Sequence, residues 1–203
     1  FGFGFMFGTS TTGFFGYDLF MPTSETMAAL NQNFKLEFFL FQLAFAGTAA
    51  TIVSGAMSER TSLTSYVLTS LLVGGLIYPV FGHWAWGGIF VESNTPWLAS
   101  LGFLDFAGSI VVHTVGASVA LAGVIVIGPR RGRFNPAKAK KFRPSDMGYS
   151  VLGIFILWFA WWGFNGGANL AYDDNVSFII LNTNLAGAFA GLTGFVHAYY
   201  VDR

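Results

Sequence analysis

No cysteine occurs in the 203 residues, which excludes disulfides, thiolate metal sites, iron–sulfur clusters and cysteine nucleophiles from this chain. Charge is nearly as scarce. Charged residues make up 10% of the sequence, against 54% hydrophobic and 18% aromatic residues, too few polar groups to cover a water-soluble domain of this size. Lipid is the solvent this composition suits. The start carries no initiator methionine, basic leader or cleavage-site pattern, so no signal peptide is read and the chain is expected to begin within a helix. No apolar stretch contains a lysine able to hold retinal, and no histidine pair stands at metal-binding helical spacing. Both absences argue against a light-driven pump or a membrane metalloenzyme.

What is present is a set of five charge-free runs: Phe38 to Ser58, Thr61 to Val91, Phe106 to Pro129, Met147 to Tyr172 and Asn175 to Val201. A helix needs about 20 apolar residues to cross the hydrocarbon of a bilayer, so each run predicts one membrane span. Phe1 to Gly8 reads as the tail of a sixth. Its Phe-Gly alternation imitates a β-strand, but glycine is common in membrane helices, where it lets backbones approach closely. The pairs Ala46/Ala50, Gly116/Ala120 and Gly187/Gly191 have the same small-residue spacing and predict tight helix contacts. The expected fold is all-α, a polytopic transmembrane helix bundle forming a single transmembrane domain over residues 1–203.

Seven of the ten cationic residues, Arg130, Arg131, Arg133, Lys138, Lys140, Lys141 and Arg143, fall in one short window. Alternating the sides of the spans puts this window, the Glu59-Arg60 junction and Asp202-Arg203 together, with nine of the ten cations. The other side receives Asp18, Glu25, Lys35, Glu37, Glu92, Asp105, Asp173 and Asp174. Because lysine and arginine concentrate in cytoplasmic loops, residues 130–146 are expected to form a basic cytoplasmic loop, and the spans after Glu37 and Asp105 both to run inward. Orientation explains the cluster more simply than a nucleic-acid or anionic-lipid site does, and no nucleic-acid partner is expected.

An ionisable side chain deep in a span is expensive and marks a candidate functional position. His113 is the clearest, at a depth of roughly 12 Å below Asp105 by the helical rise. A neutral imidazole both donates and accepts hydrogen bonds, so it fits either a guide for a small polar molecule or a packing group bonded to a neighbouring helix. His83 and His197 stand nearer span ends and are expected at the membrane interface. Trp86, Phe41, Phe45, Trp161, Trp162 and Phe164 stand near span ends, where ring faces attract small cations when water is partly excluded, or simply pack. Asp105 suits either cation attraction at the outer mouth or capping of the helix after it. Asn135-Pro136-Ala137 spells the tripeptide of water and glycerol channels, yet it stands in the basic loop without a second copy and reads as a turn.

The run from Asp105 through Phe106-Ala107-Gly108-Ser109 to His113, followed by Gly128-Pro129-Arg130-Arg131-Gly132-Arg133-Phe134, resembles the signature region of the ammonium transporter family on its Amt side. Phe41-Gln42 through Phe45, Ser58-Glu59-Arg60, His83-Trp84-Ala85-Trp86-Gly87-Gly88, Trp161-Trp162-Gly163-Phe164-Asn165 and Asn182-Thr183-Asn184 are similar to further segments of that family, in the same order. The likeness implies part of an inverted-repeat helix bundle, from the end of that fold's second helix through its seventh, and hence a fragment. It implies transport of ammonium or ammonia across the plasma membrane rather than enzyme chemistry, with no cofactor. It also implies a homotrimer in the lipid bilayer and a cytoplasmic regulatory protein. By resemblance Trp86, Phe45, Phe41 and Asp105 handle ammonium at the outer side, Phe45 and Phe164 close the pore, and His113 is the first of two pore histidines. The second pore histidine belongs to a helix beyond Arg203, and Ala168 stands where many members carry a serine. Amt-like domains also occur as ammonium sensors fused to signalling modules, which is the alternative reading.

Overall fold

A computed structural model describes residues 1–23, 25, 36–137, 142 and 146–201, and among them every regular element is helical. Lys35, Lys138, Lys140, Lys141, Arg143, Asp202 and Arg203, to which the charge pattern assigned sides, lie outside the described residues. The chain divides into two compact units, Phe1–Ala139 and Lys140–Arg203. The first holds α1 (Gly2–Phe7), α2 (Leu36–Met57), α3 (Leu63–Trp86), the single turn α4 (Trp97–Ser100) and α5 (Ser109–Ile127). The second holds α6 (Met147–Gly167) and α7 (Asp174–Val201).

Helices α2, α3, α5, α6 and α7 are long and apolar enough to cross a membrane, one for each charge-free run. The runs overshoot at Val91 and Tyr172, since α3 stops at Trp86 and α6 at Gly167, each at a glycine pair that weakens helix continuation. Two spans are not α-helical throughout. In α3 the segment Val73–Ile77 widens into a π-turn just before Pro79. Proline has no N–H and collides with the carbonyl four residues back, and the wider turn accommodates both defects. In α5 the first six residues, Ser109–Thr114, form the second π-turn.

The Phe-Gly alternation resolves into helix α1, whose glycines and phenylalanines do different work. Gly4 and Gly8 face the backbone of Asp18, close enough that a Cβ on either would meet its carbonyl oxygen at 2.5 and 2.7 Å. Phe3 and Phe7 pack on the other helices, with ring centroids 5.6 Å from Phe90 for Phe3 and 4.9 Å from Phe38 for Phe7. Phe38 and Phe90 stack at 5.4 Å. His83 fastens α1 to α3. Expected at the membrane interface, it is instead fully buried, its Nδ1–H donating to the carbonyl of Met6 at 2.8 Å. Its place near the end of a span does not set its exposure, because α1 and the loop behind it cover that end.

Helices α2 and α5 run parallel. Gly116 of α5 meets α2 so closely that a Cβ there would come 2.8 Å from the carbonyl of Ala49 and 2.9 Å from Ile52. At the far ends Arg60 donates from Nη1 to the carbonyl of Gly128 at 2.8 Å, and Arg130 from Nε to that of Ser58 at 3.3 Å. The Glu59-Arg60 junction and the start of the basic loop therefore share a side, as the alternation of spans requires. Asn135 accepts the N–H of Ala137 in a local turn, in keeping with the reading of that tripeptide.

In the second unit the α6–α7 contact is built on amide side chains. Asn184 Oδ1 accepts from the indoles of Trp158 at 3.1 Å and Trp162 at 2.9 Å, and Asn165 donates to Thr183 at 2.9 Å. Hydrocarbon offers no competing water, so such groups must bond to each other. Gly187 receives the Trp158 indole, with its notional Cβ 3.3 Å from the ring, whereas Gly191 faces open space.

Two glycines test this packing with opposite signs. Gly16 is buried with its notional Cβ 2.7 Å from Gly8 Cα, and Gly16→Ala should destabilise the chain by about 2 kcal/mol through overpacking. Gly47, exposed within α2, has nothing within 4 Å of a Cβ, and Gly47→Ala should leave stability unchanged or slightly higher. Thermal unfolding of both variants in the same detergent checks the contrast.

Candidate functional site

The site begins with one carboxylate. Asp105 Oδ1 accepts the N–H groups of Gly108 at 2.9 Å and Ser109 at 3.1 Å, and Oδ2 those of Ile110 at 2.9 Å and Val111 at 2.8 Å. These donors open α5 and have no partner within the helix, so an ionised side chain both satisfies them and faces the positive end of the helix dipole. Of the two roles open to Asp105, capping is the one its geometry displays. Gly108 makes the cap possible by adopting φ 95°, in the left-handed region. A Cβ at Gly108 would also lie 2.5 Å from Val112 Cγ2 and 3.3 Å from Trp86 Cη2.

The carbonyl of Gly108 carries the next step. It accepts from the backbone of Val112 at 2.9 Å and of His113 at 3.0 Å, the second bond spanning five residues and opening the π-turn. The same oxygen lies 3.1 Å from His113 Nδ1. A carbonyl can only accept, so Nδ1 carries a proton, and Nε2 is the ring nitrogen left facing away from this bond. His113 is exposed, and this bond runs to its own turn rather than to a neighbouring helix.

Trp86, at the end of α3, is buried, and its indole N–H donates to the backbone carbonyl of Asp105 at 2.7 Å. Its ring lies 5.9 Å from that of Phe45, which lies 4.8 Å from Phe41 on the preceding turn of α2. The first unit therefore brings together Phe41, Phe45, Trp86, Asp105 and, through Gly108, His113. Phe164 stands on α6 in the second unit, half-buried, with its ring 5.9 Å from Trp161. Ala168, also half-buried, ends that helix. His197 is exposed on α7.

Sequence reasoning missed several supporting residues. Buried Asn94 donates to the carbonyls of Gly8 and Gly87 at 2.9 Å each and accepts the N–H of Ser10 at 2.8 Å, binding the loop after α3 to the segment after α1. Gln42 and Tyr78, both buried, line a cavity of about 520 Å³ between α1, α2 and the π-turn of α3. Gln42 could have been found as the one amide side chain in the charge-free run Phe38 to Ser58; Asn94 gave no comparable signal. Chemically, Phe41, Phe45 and Trp86 form an aromatic cluster in which Phe45 and Trp86 are buried, and both oxygens of Asp105 are already occupied by backbone N–H groups.

The profile of the Ammonium Transporter Family matches residues 1–202. The chain is 48% identical over 194 residues to a Synechocystis sp. relative named as an ammonium transporter, covering 92% of this chain and 35% of that protein. It is 44% identical over 163 residues to ammonium transporter Amt2 of Archaeoglobus fulgidus, covering 78% of this chain and again 35% of the relative. A solved structure, "Sensor Amt Protein", superposes with a TM-score of 0.91 at 42% identity, covering 100% of this chain and 50% of the other. The chain thus spans about a third to a half of the length of these relatives.

Asp105→Asn removes one of the two carboxylate oxygens and the charge, leaving two N–H groups of the π-turn without their acceptor. The start of α5 should lose about 1–3 kcal/mol of local stability. Hydrogen exchange of the peptide spanning Ser109 to Thr114 should accelerate accordingly, while exchange in α6 and α7 stays as it is.

Proposed function

Because the chain belongs to the ammonium transporter family, we propose that it supplies the outer recruitment surface and half of the pore through which its protein moves ammonium or ammonia across the plasma membrane. The observation that carries this reading is the row of Phe41, Phe45 and Trp86, fixed above the turn of His113 by the Trp86–Asp105 hydrogen bond. Ammonium is recruited by ring faces, which replace part of its hydration without holding it as tightly as a carboxylate would. Stripping the remaining water from a cation in an apolar passage is costly, whereas neutral ammonia needs only hydrogen-bond partners. Proton and ammonia therefore part near Phe45, one of the two rings, with Phe164, that the family resemblance assigns to closing the pore. His113 then accepts an N–H of the substrate at Nε2.

In this reading Asp105 is a positioning residue. It locates Trp86 through its carbonyl and His113 through the helix start. The two units form one transmembrane domain, with residues 130–146 as a basic cytoplasmic loop. The protein acts as a homotrimer and answers to a cytoplasmic regulatory protein.

A second reading, an ammonium-sensing membrane domain, is favoured by the likeness to the solved structure titled "Sensor Amt Protein". The absence of a hydroxyl at Ala168 is compatible with a site that binds without rapid flux.

His113→Ala in the intact protein should cut ammonium-dependent uptake about tenfold, the worth of one substrate hydrogen bond in a dry passage. Trp86→Leu should raise the half-saturating ammonium concentration more than it lowers the maximal rate. Uptake that His113→Ala leaves unchanged would remove the pore role. Ammonium binding without any uptake by the unsubstituted protein would select the sensor.

A further inference from the structure

We propose that Thr183 and Asn184 of α7 are positioning residues that set the rotation of α6 about its own axis, and with it the direction in which Phe164 presents its ring. The inference rests on the reading of Phe164 as a ring that closes the pore, and adds the groups that aim it. Trp158, Trp162 and Asn165 follow one another at helical spacing and share one face of α6. All three bond to α7. The two indoles donate to Asn184 Oδ1 at 3.1 and 2.9 Å, and Asn165 Nδ2 donates to Thr183 Oγ1 at 2.9 Å. Trp161, Phe164 and Ala168 share a second face, about 100° away around the helix.

Apolar side chains in hydrocarbon gain little from one neighbour over another, so apolar contact alone leaves two helices free to turn against each other. Polar groups lack that freedom, because a lost bond leaves a donor or acceptor unsatisfied where no water replaces it. Here both α7 side chains are also fastened to their own helix. Asn184 Nδ2 donates to the carbonyl of Ile180 at 3.0 Å while Oδ1 takes both indoles. The hydroxyl of buried Thr183 donates to the carbonyl of Ile179 at 2.8 Å while accepting from Asn165. Gly166 and Gly187 close the contact between them, with notional Cβ atoms 3.5 Å from Val176 Cγ1 and 3.3 Å from the Trp158 ring.

Small rotations matter at the ring. A side chain about 5 Å from the helix axis moves by about 1 Å when the helix turns by about 10°. A gap of about 1 Å forfeits much of the contact between two packed groups. Trp161, with its ring 5.9 Å from that of Phe164, sits on the same face and turns with it. A ring that closes a passage sets the width left for the substrate, so methylammonium, larger than ammonium by one methyl group, reads its position.

The test is uptake of ammonium and of methylammonium by the intact protein, with the amount in the membrane measured for every variant. Thr183→Val keeps the shape of the side chain and removes its hydroxyl. It should lower the ratio of the two maximal rates about threefold, the worth of one interhelical hydrogen bond. The half-saturating ammonium concentration should stay as it is, since the recruiting rings belong to the first unit. Thr183→Ser, which keeps the hydroxyl, should keep the ratio. Asn184→Leu should lower the ratio further; if it does not fold, Thr183→Val decides the matter alone. In a Phe164→Leu background, where no ring is left to aim, Thr183→Val should have no additional effect. An equal effect in both backgrounds would mean general loosening of α6 and α7 and overturns the proposal. A ratio that Phe164→Leu lowers and Thr183→Val does not overturns it too, while leaving the pore-closing role of Phe164 in place. A ratio that Phe164→Leu leaves unchanged removes that role, and the proposal falls with it.

Discussion

The carboxylate of Asp105 is the constraint on which the outer half of the first unit depends. An ionised carboxylate at the edge of a hydrocarbon medium is expensive unless donors surround it, and here four backbone N–H groups do so. Holding all four requires the chain to turn sharply at Gly108, and that turn forces the first residues of α5 into the wider π geometry. The π-turn then sets where His113 stands and which ring nitrogen it keeps free. The backbone carbonyl of the same aspartate fixes Trp86. One side chain and its own peptide unit thus coordinate the two elements, α3 and α5, that carry the aromatic wall and the histidine.

A second constraint acts within each unit: polar side chains in and beside the spans bond to groups on another helix or a loop. His83 bonds to Met6, Asn94 to three backbone groups, Asn184 to two indoles, and Asn165 to Thr183. In each case the partner belongs to a different helix or to a loop. The result ties α1 to α3 and α6 to α7 in a medium where apolar contact alone provides little preference for one helix over another. Glycines complete the work by removing the Cβ where two backbones meet, as at Gly4, Gly16 and Gly116.

The spans were legible in the sequence, because the absence of charge over more than 20 residues is a coarse signal that local packing does not erase. The helical nature of Phe1 to Gly8 followed from solvent rather than pattern, since its alternation by itself imitates a strand. The two π-turns were not legible, because any reading by helical period assumes 3.6 residues per turn, and the extra residue depends on Pro79 in one case and on the Asp105 cap in the other. The burial of His83 was hidden for a related reason. Distance along a span measures depth in the membrane, but burial depends on which other segment lies across that depth, here α1. Family resemblance supplied the order of Phe41, Phe45, Trp86, Asp105 and His113 along the chain. Geometry added that the acidic residue holds the frame, while Phe41, Phe45 and Trp86 form an aromatic cluster beside it.

Under the proposed function, that arrangement has a physical logic for a passage that admits a small cation and then releases it. A free carboxylate at the mouth would bind any cation strongly, and the tighter the site, the slower the exit. Ring faces attract through the quadrupole, and their contribution of about 0.5–2 kcal/mol concentrates a weakly hydrated ion without trapping it. Directing both oxygens of Asp105 into the backbone removes the strong site while preserving the order that a negative charge imposes on a helix start. In that proposal His113 Nε2, on the π-turn that the carboxylate organises, serves as an acceptor without formal charge. Such a group can receive an N–H from a neutral amine at little cost, yet offers a bare metal cation too little to compensate for its lost water. On that proposal, selectivity arises from where the charge has been withdrawn as much as from where donors and acceptors remain.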